Sequence, residues 1–159
     1  MKYSQIAGRA AREAGELVLG FRGKELGIHF KAERDIATMA DKKSEALLQK
    51  ILIEDNFPSH DFLSEESDFA GAKSDYRWIV DPVDGTGNFA HDNPLFGISV
   101  GLMHKDEIIA GAIYLPTLDE LYLSDKGKGA TLNGKRISVS SQKEFYDLSG
   151  RHKYFDLWL

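Results

Sequence analysis

The sequence predicts an α+β fold, an antiparallel sheet of about six strands covered by two N-terminal helices. Two observations carry this. Apolar residues recur at three- and four-residue spacing early in the chain, and β-rich runs broken by turn residues follow. Helices first and strands afterwards, without strict alternation, is the order of an α+β domain.

Residues 3–21 give the first helix. Ile6, Ala7, Ala10, Ala14, Leu17, Val18 and Phe21 form one face, and Arg9, Arg12, Glu13 and Glu16 another. Gly15 costs helix propensity and favours close packing in return. Gly20 and Gly23 read as its end. The polar stretch 24–41 has short strand character at 28–30. Asp41 reads as the N-cap of a second helix whose apolar stripe is Leu47, Leu48, Ile51 and Leu52, with Pro58 beyond its end.

From there the pattern is that of strands. Phe62-Leu63 is a short one, and residues 76–80 form a β-rich run. Residues 96–103 and 108–115 form two more, joined by His104-Lys105-Asp106-Glu107. Residues 120–123 add another, and Asn133-Gly134 between 130–132 and 136–139 is a two-residue hairpin signal. Residues 141–159 lack a clear period, yet hold Phe145, Tyr146, Tyr154, Phe155 and Trp158. The reading is one domain over 1–140 and a divergent tail over 141–159.

Bulk properties narrow the function. A chain of 159 residues with 42% hydrophobic content can bury a core. A net charge of −5 without a basic run argues against nucleic acid. The absence of cysteine excludes disulfides, thiolate metal sites and a cysteine nucleophile. No secretory apolar core follows the N-terminus, and the apolar run 108–115 is far too short to span a bilayer. The expectation is a cytoplasmic protein with no membrane partner.

The chemistry concentrates in Asp81-Pro82-Val83-Asp84-Gly85-Thr86-Gly87-Asn88-Phe89. Two carboxylates three apart, with a proline between and Gly-Thr after, can place hard oxygen ligands around a divalent ion such as Mg²⁺. The Val83 carbonyl is a further oxygen. Gly85 allows close approach of a phosphate, and Thr86 offers a hydroxyl. Asp-rich turns also simply end strands, and spacing alone favours that reading. Ser64-Glu65-Glu66-Ser67 follows a short strand and lets Glu65 point at the same place, although an isolated Glu pair is more often a solvated loop. Asp35, Thr38 and Asp41 form a third group, read either as a turn and cap or as groups polarising a water.

The whole string resembles the signature of the inositol monophosphatase family of magnesium-dependent, lithium-sensitive phosphatases. Asp35-Ile36-Ala37-Thr38 followed by Asp41, Ser44 and Glu45 is similar to a second family segment. Phe57-Pro58-Ser59-His60 with 64–67 is similar to a third. Pro94-Leu95-Phe96, 111–116 and 127–134 match the strands that follow, so the resemblance covers roughly residues 1–140. It implies a first magnesium held by Glu65, Asp81 and the Val83 carbonyl, and a second held by Asp81 and Asp84. Glu65 would also contact a loosely held third ion. Thr86, hydrogen-bonded to Asp41, would activate a water for in-line attack on phosphorus. Gly85 and Thr86 backbone N–H groups, beside Asp84, would hold the phosphate, and Lys31 lies where the family often carries a loop lysine. The substrate would be a small phosphorylated metabolite of inositol-phosphate or sugar-phosphate type. A 3′-phosphoadenosine phosphate substrate fits less well, because such members tend to carry Lys-Glu-Phe where this chain has Gly87-Asn88-Phe89.

Family members are longer, and a second domain supplies another aspartate in a Trp-Asp-x-Ala type motif. Phe155-Asp156-Leu157-Trp158-Leu159 is not that motif. The expectation is therefore magnesium binding with much reduced phosphatase activity, and a homodimer or higher oligomer through uncovered apolar surface. The alternative is a non-catalytic form that binds metal or a protein partner.

Overall fold

The computed structural model describes residues 2–22, 31–65 and 73–140, with the helical backbone alone over 31–38. Helix α1 spans Tyr3–Leu19 and α2 spans Lys31–Gln49, running on into a single π turn at Lys50–Glu54. The strands are β1 (Asp61–Ser64), β2 (Tyr76–Asp84), β3 (Gly97–His104), β4 (Glu107–Leu115), β5 (Glu120–Asp125), β6 (Gly129–Leu132) and β7 (Lys135–Ile137). A five-residue helix, α3 (Thr86–Ala90), interrupts them after β2. The expected strand at 28–30 and the tail 141–159 lie outside the described residues.

All seven strands form one sheet in sequence order. β2 through β7 pair antiparallel, as expected of the motif order, but β1 lies parallel to β2. The chain between them crosses back instead of closing a hairpin, which is what parallel pairing requires. Turn chemistry holds the hairpins in register. Asn133 (φ 46°) and Gly134 (φ 79°) take the left-handed pair that a two-residue hairpin turn demands.

One face of the sheet carries the helices. α1 lies over β3, β4 and β5, and α2 over β2 and α3. α1 approaches closely because its inner face is small: Ala7, Ala10, Ala11 and Ala14 are fully buried. Gly15 does serve close packing, since a Cβ there would sit 2.6 Å from the Tyr114 ring. Trp78, Leu48, Leu52, Ile98 and Leu102 fill the core between the layers. Arg12 is not a purely solvated residue. It stacks over the Tyr114 ring at 4.7 Å and reaches Asp119 at 2.5 Å, bridging α1 to the β4–β5 turn.

Two boundaries differ from the sequence expectation. The first helix stops at Leu19 with Gly20 as its C-cap, so Phe21 lies beyond it. Asp41 is not an N-cap, because α2 begins at Lys31 and Asp41 sits in its interior, 4% exposed. The reason is periodicity: Asp41, Ser44 and Leu48 are buried at helical spacing, so the carboxylate belongs to the inward face.

None of the described helices covers the other sheet face. A groove of about 450 Å³ crosses it, with walls from Ile79, Ile108, Ile113 and Tyr122 over Gly101 and Gly111. Among the described residues, no helix is long and apolar enough to cross a membrane.

Candidate active site

β2 does not end before the nine-residue motif but runs into it as far as Asp84. Residues three apart on a regular strand face opposite ways. Here the pairing steps from Asp81↔Ser99 to Asp84↔Gly97, so three steps on β2 match two on β3. That extra residue is a β-bulge, placed where Pro82 has no amide to give the ladder. It resets the alternation, so that Asp81 and Asp84 fall on the same side of the strand: Pro82 and Val83 are both buried, Asp81 is half-buried and Asp84 exposed.

Glu65 arrives through the parallel pair. Ser64 stands opposite Val80, and the Glu65 amide donates to the Val80 carbonyl at 3.3 Å, which brings Glu65 level with Asp81. Burial, a hydrogen bond with Glu65, and the charges of Glu65 and Asp84 together push Asp81 up from 3.8 to about 7. The Val83 amide opposes this by donating to Asp81 Oδ1 at 3.2 Å. Asp81 therefore resists ionisation, first because it is partly buried and then because two carboxylates lie near it.

Gly85 then turns the chain. Its φ of 88° is left-handed, and a Cβ there would lie 3.2 Å from the Leu95 carbonyl oxygen. Thr86 opens α3, and its hydroxyl donates to the Val83 carbonyl at 2.9 Å. That corrects the expectation that Thr86 hydrogen-bonds Asp41: the hydroxyl has one proton, and Val83, three residues back across the turn, takes it. Asp41 is buried on the inward face of α2. Ser44, one helical turn on, donates to the Pro82 carbonyl at 2.8 Å, and α2 packs against α3. Lys31 is the first residue of α2, and Asp35 and Thr38 lie in its opening turns.

Sequence reading gave no role to three residues that hold the site in shape. Ser44 pins α2 to the bulge. Asn88 Nδ2 donates to the Leu95 carbonyl at 2.6 Å. Phe89 packs edge-on against Phe96 with ring centroids 5.1 Å apart. Ser44 was detectable as the one small polar residue in step with Leu48 and Ile51. Arg22 adds a clamp, reaching the Asp92 carboxylate at 2.5 Å and its carbonyl at 2.7 Å.

The donor set is all oxygen, the chemistry a hard divalent cation takes. Burial first, and then the neighbouring carboxylates, raise Asp81, and a bound cation would offset both. As placed, no three carboxylate or imidazole groups among the described residues are arranged to hold one ion. Glu65 and Asp81 share a hydrogen bond, and Asp84 acts on Asp81 through its charge.

The inositol monophosphatase family model matches residues 2–154. The chain belongs to the inositol monophosphatase family. An inositol monophosphatase 1 of Solanum lycopersicum is 43% identical over 144 residues, 87% of this chain and 52% of that protein. A fructose-1,6-bisphosphatase/inositol-1-monophosphatase of Aquifex aeolicus is 40% identical over 144 residues, 89% of this chain and 54% of that protein. Among solved structures, an extragenic suppressor protein suhB from Bartonella henselae superposes with a TM-score of 0.79 at 35% identity, over 90% of this chain and 56% of that one. The inositol monophosphatase from Anabaena gives 0.75 at 38%, over 89% and 51%. The chain spans about half the length of the family members it matches, so their fold is shared over its sheet and helices.

Proposed function

We propose that these residues form the metal- and phosphate-binding half of a magnesium-dependent phosphomonoesterase acting on an inositol-phosphate or sugar-phosphate type metabolite in the cytoplasm. The observation that carries the reading is the bulge at Pro82–Val83, which turns Asp81 and Asp84 to the same side beside Glu65. Glu65, Asp81 and the Val83 carbonyl would hold one ion, and Asp81 with Asp84 a second. Glu65 would also touch a third, loosely held ion. Bound magnesium supplies charge neutralisation at the phosphate and a more acidic water. Gly85 and Thr86 amides, exposed by the left-handed turn, would receive the phosphate oxygens beside Asp84. Thr86 and Asp41 would orient the attacking water, which requires the Thr86 hydroxyl to leave Val83. Lys31, the first residue of α2, would contact the substrate.

Within these 159 residues the second ion has two carboxylates and no further one assigned, so turnover by them alone is expected to be slow. The domain reading follows: residues 1–140 as the metal-binding domain and 141–159 as a divergent tail. The groove on the sheet, left uncovered by the described residues with Ile108 and Ile113 both about half exposed, supports a homodimer or higher oligomer. Phosphate release from a panel of inositol, fructose and glycerol phosphates, with and without magnesium, tests the reading. Slow release that needs magnesium and vanishes in Asp84→Asn is the expected outcome. Release that is indifferent to magnesium would sink it. Magnesium binding with no release from any substrate would favour the non-catalytic reading.

A further inference from the structure

A second cavity, of about 300 Å³, lies where the first turn of α1 meets the β5–β6 hairpin. That volume is at the small end of metabolite pockets. Its lining includes Lys2, Ser4, Asp125, Lys128 and Thr131. Ser124, also in the lining, shares a cross-strand row with Ile79 through Gly101 and Gly111, three strands from the motif strand and so roughly 14 Å away. The cavity is therefore separate from the candidate active site.

We propose that this cavity binds a phosphate-type oxyanion. Three independent features point to it. The Gln5 and Ile6 amides turn back to the Lys2 carbonyl, which leaves the Tyr3 and Ser4 amides as the orphan donors of a 17-residue helix. Ser4 is 4% exposed, lines the cavity, and its hydroxyl has no hydrogen-bond partner among the described residues. The residue is nearly buried, but its hydroxyl lines the cavity unpaired among the described residues, so it is a donor available to an acceptor there. Lys2 and Lys128 have no carboxylate partner among the described residues, unlike Lys126, whose ammonium is paired with Glu107. In a chain of net charge −5, two free ammonium groups beside a helix N-terminus are a local exception.

Asp125 sharpens the class. A carboxylate would oppose a fully ionised anion but accept a hydrogen bond from a protonated one. Phosphate and its monoesters carry such a proton near neutral pH, and sulfate does not. The cavity therefore favours phosphate over sulfate, taking inorganic phosphate or the phosphate group of a small ester.

The test is an NMR titration of the ¹⁵N-labelled chain in EDTA, which removes metal from the other site. Inorganic phosphate, glycerol phosphate and sulfate are added in turn at constant ionic strength. Phosphate is expected to shift the Tyr3, Ser4, Lys128 and Gly129 amides with one dissociation constant, and sulfate to bind about tenfold more weakly. Ser4→Ala and Lys128→Gln should each weaken phosphate by about tenfold, the loss of one charge-assisted contact, with an unchanged circular dichroism spectrum. Response to glycerol phosphate as well would assign a phosphorylated metabolite, and response to inorganic phosphate alone would assign the free ion. Shifts confined to Gly85 and Thr86, equal affinity for sulfate, or no effect of either substitution would overturn the proposal.

Discussion

Replacing Asp81 by asparagine should stabilise the metal-free chain at alkaline pH and leave it unchanged in acid. Asp81 is raised from 3.8 to about 7 by burial, by its hydrogen bond with Glu65 and by the charges of Glu65 and Asp84. A raised carboxyl binds more protons folded than unfolded between those values. Stability therefore falls as pH climbs from about 4 to 7, and the penalty persists above. The gross figure is about 4 kcal/mol. Because Asp81 is only half-buried, solvent screening brings this to about 1–2 kcal/mol. Asparagine is neutral and keeps an oxygen for the Val83 amide, so it removes the penalty and little else. Urea unfolding in EDTA at pH 8 should show a gain of about 1–2 kcal/mol, near 2–6 °C in melting temperature. At pH 4 the difference should vanish. A variant equally destabilised at both pH values, or a wild type whose stability is flat between them, would refute the electrostatic reasoning.

Three further outcomes follow from packing. Gly15→Val should destabilise by about 2–3 kcal/mol, measured by urea melts, because its side chain enters the space of the Tyr114 ring. Gly85→Ala should cost about 1–2 kcal/mol, since φ is 88° and the Leu95 carbonyl is close, and should weaken magnesium and phosphate responses together. Ser44→Ala should cost about 1–2 kcal/mol by leaving the Pro82 carbonyl buried without its donor, with Ser44→Thr recovering part of the loss.

Much of this was legible in the sequence because local chemistry decided it. The spacing of Ile6, Ala10, Ala14 and Val18 gave α1, and Asn133-Gly134 gave its hairpin. The parallel pairing of β1 was not legible, since it depends on where a long connection returns rather than on residues in the strand. Asp41 misled for a related reason: a carboxylate at the head of an apolar stripe has the look of a cap, and only packing against the motif shows it to be inward-facing. The motif itself exposed its donor types but not its geometry. Asp81 and Asp84, read on a regular strand, would diverge, and only the bulge against Ser99 and Gly97 reunites them. Thr86 was recognised as a hydroxyl at the turn, yet its proton goes to Val83 because that carbonyl lies within the same turn.

The most direct measurement is a calorimetric titration of the chain with magnesium at pH 8, repeated at pH 5.5 and on Asp81→Asn. Cation binding must displace the proton that Asp81 holds through its raised affinity, so it should be tight at pH 8 and much weaker at pH 5.5. Asp81→Asn should bind little at either. Equal affinity at both pH values, or binding that survives Asp81→Asn, would contradict the assignment of the bulged strand as the place where the ion is held.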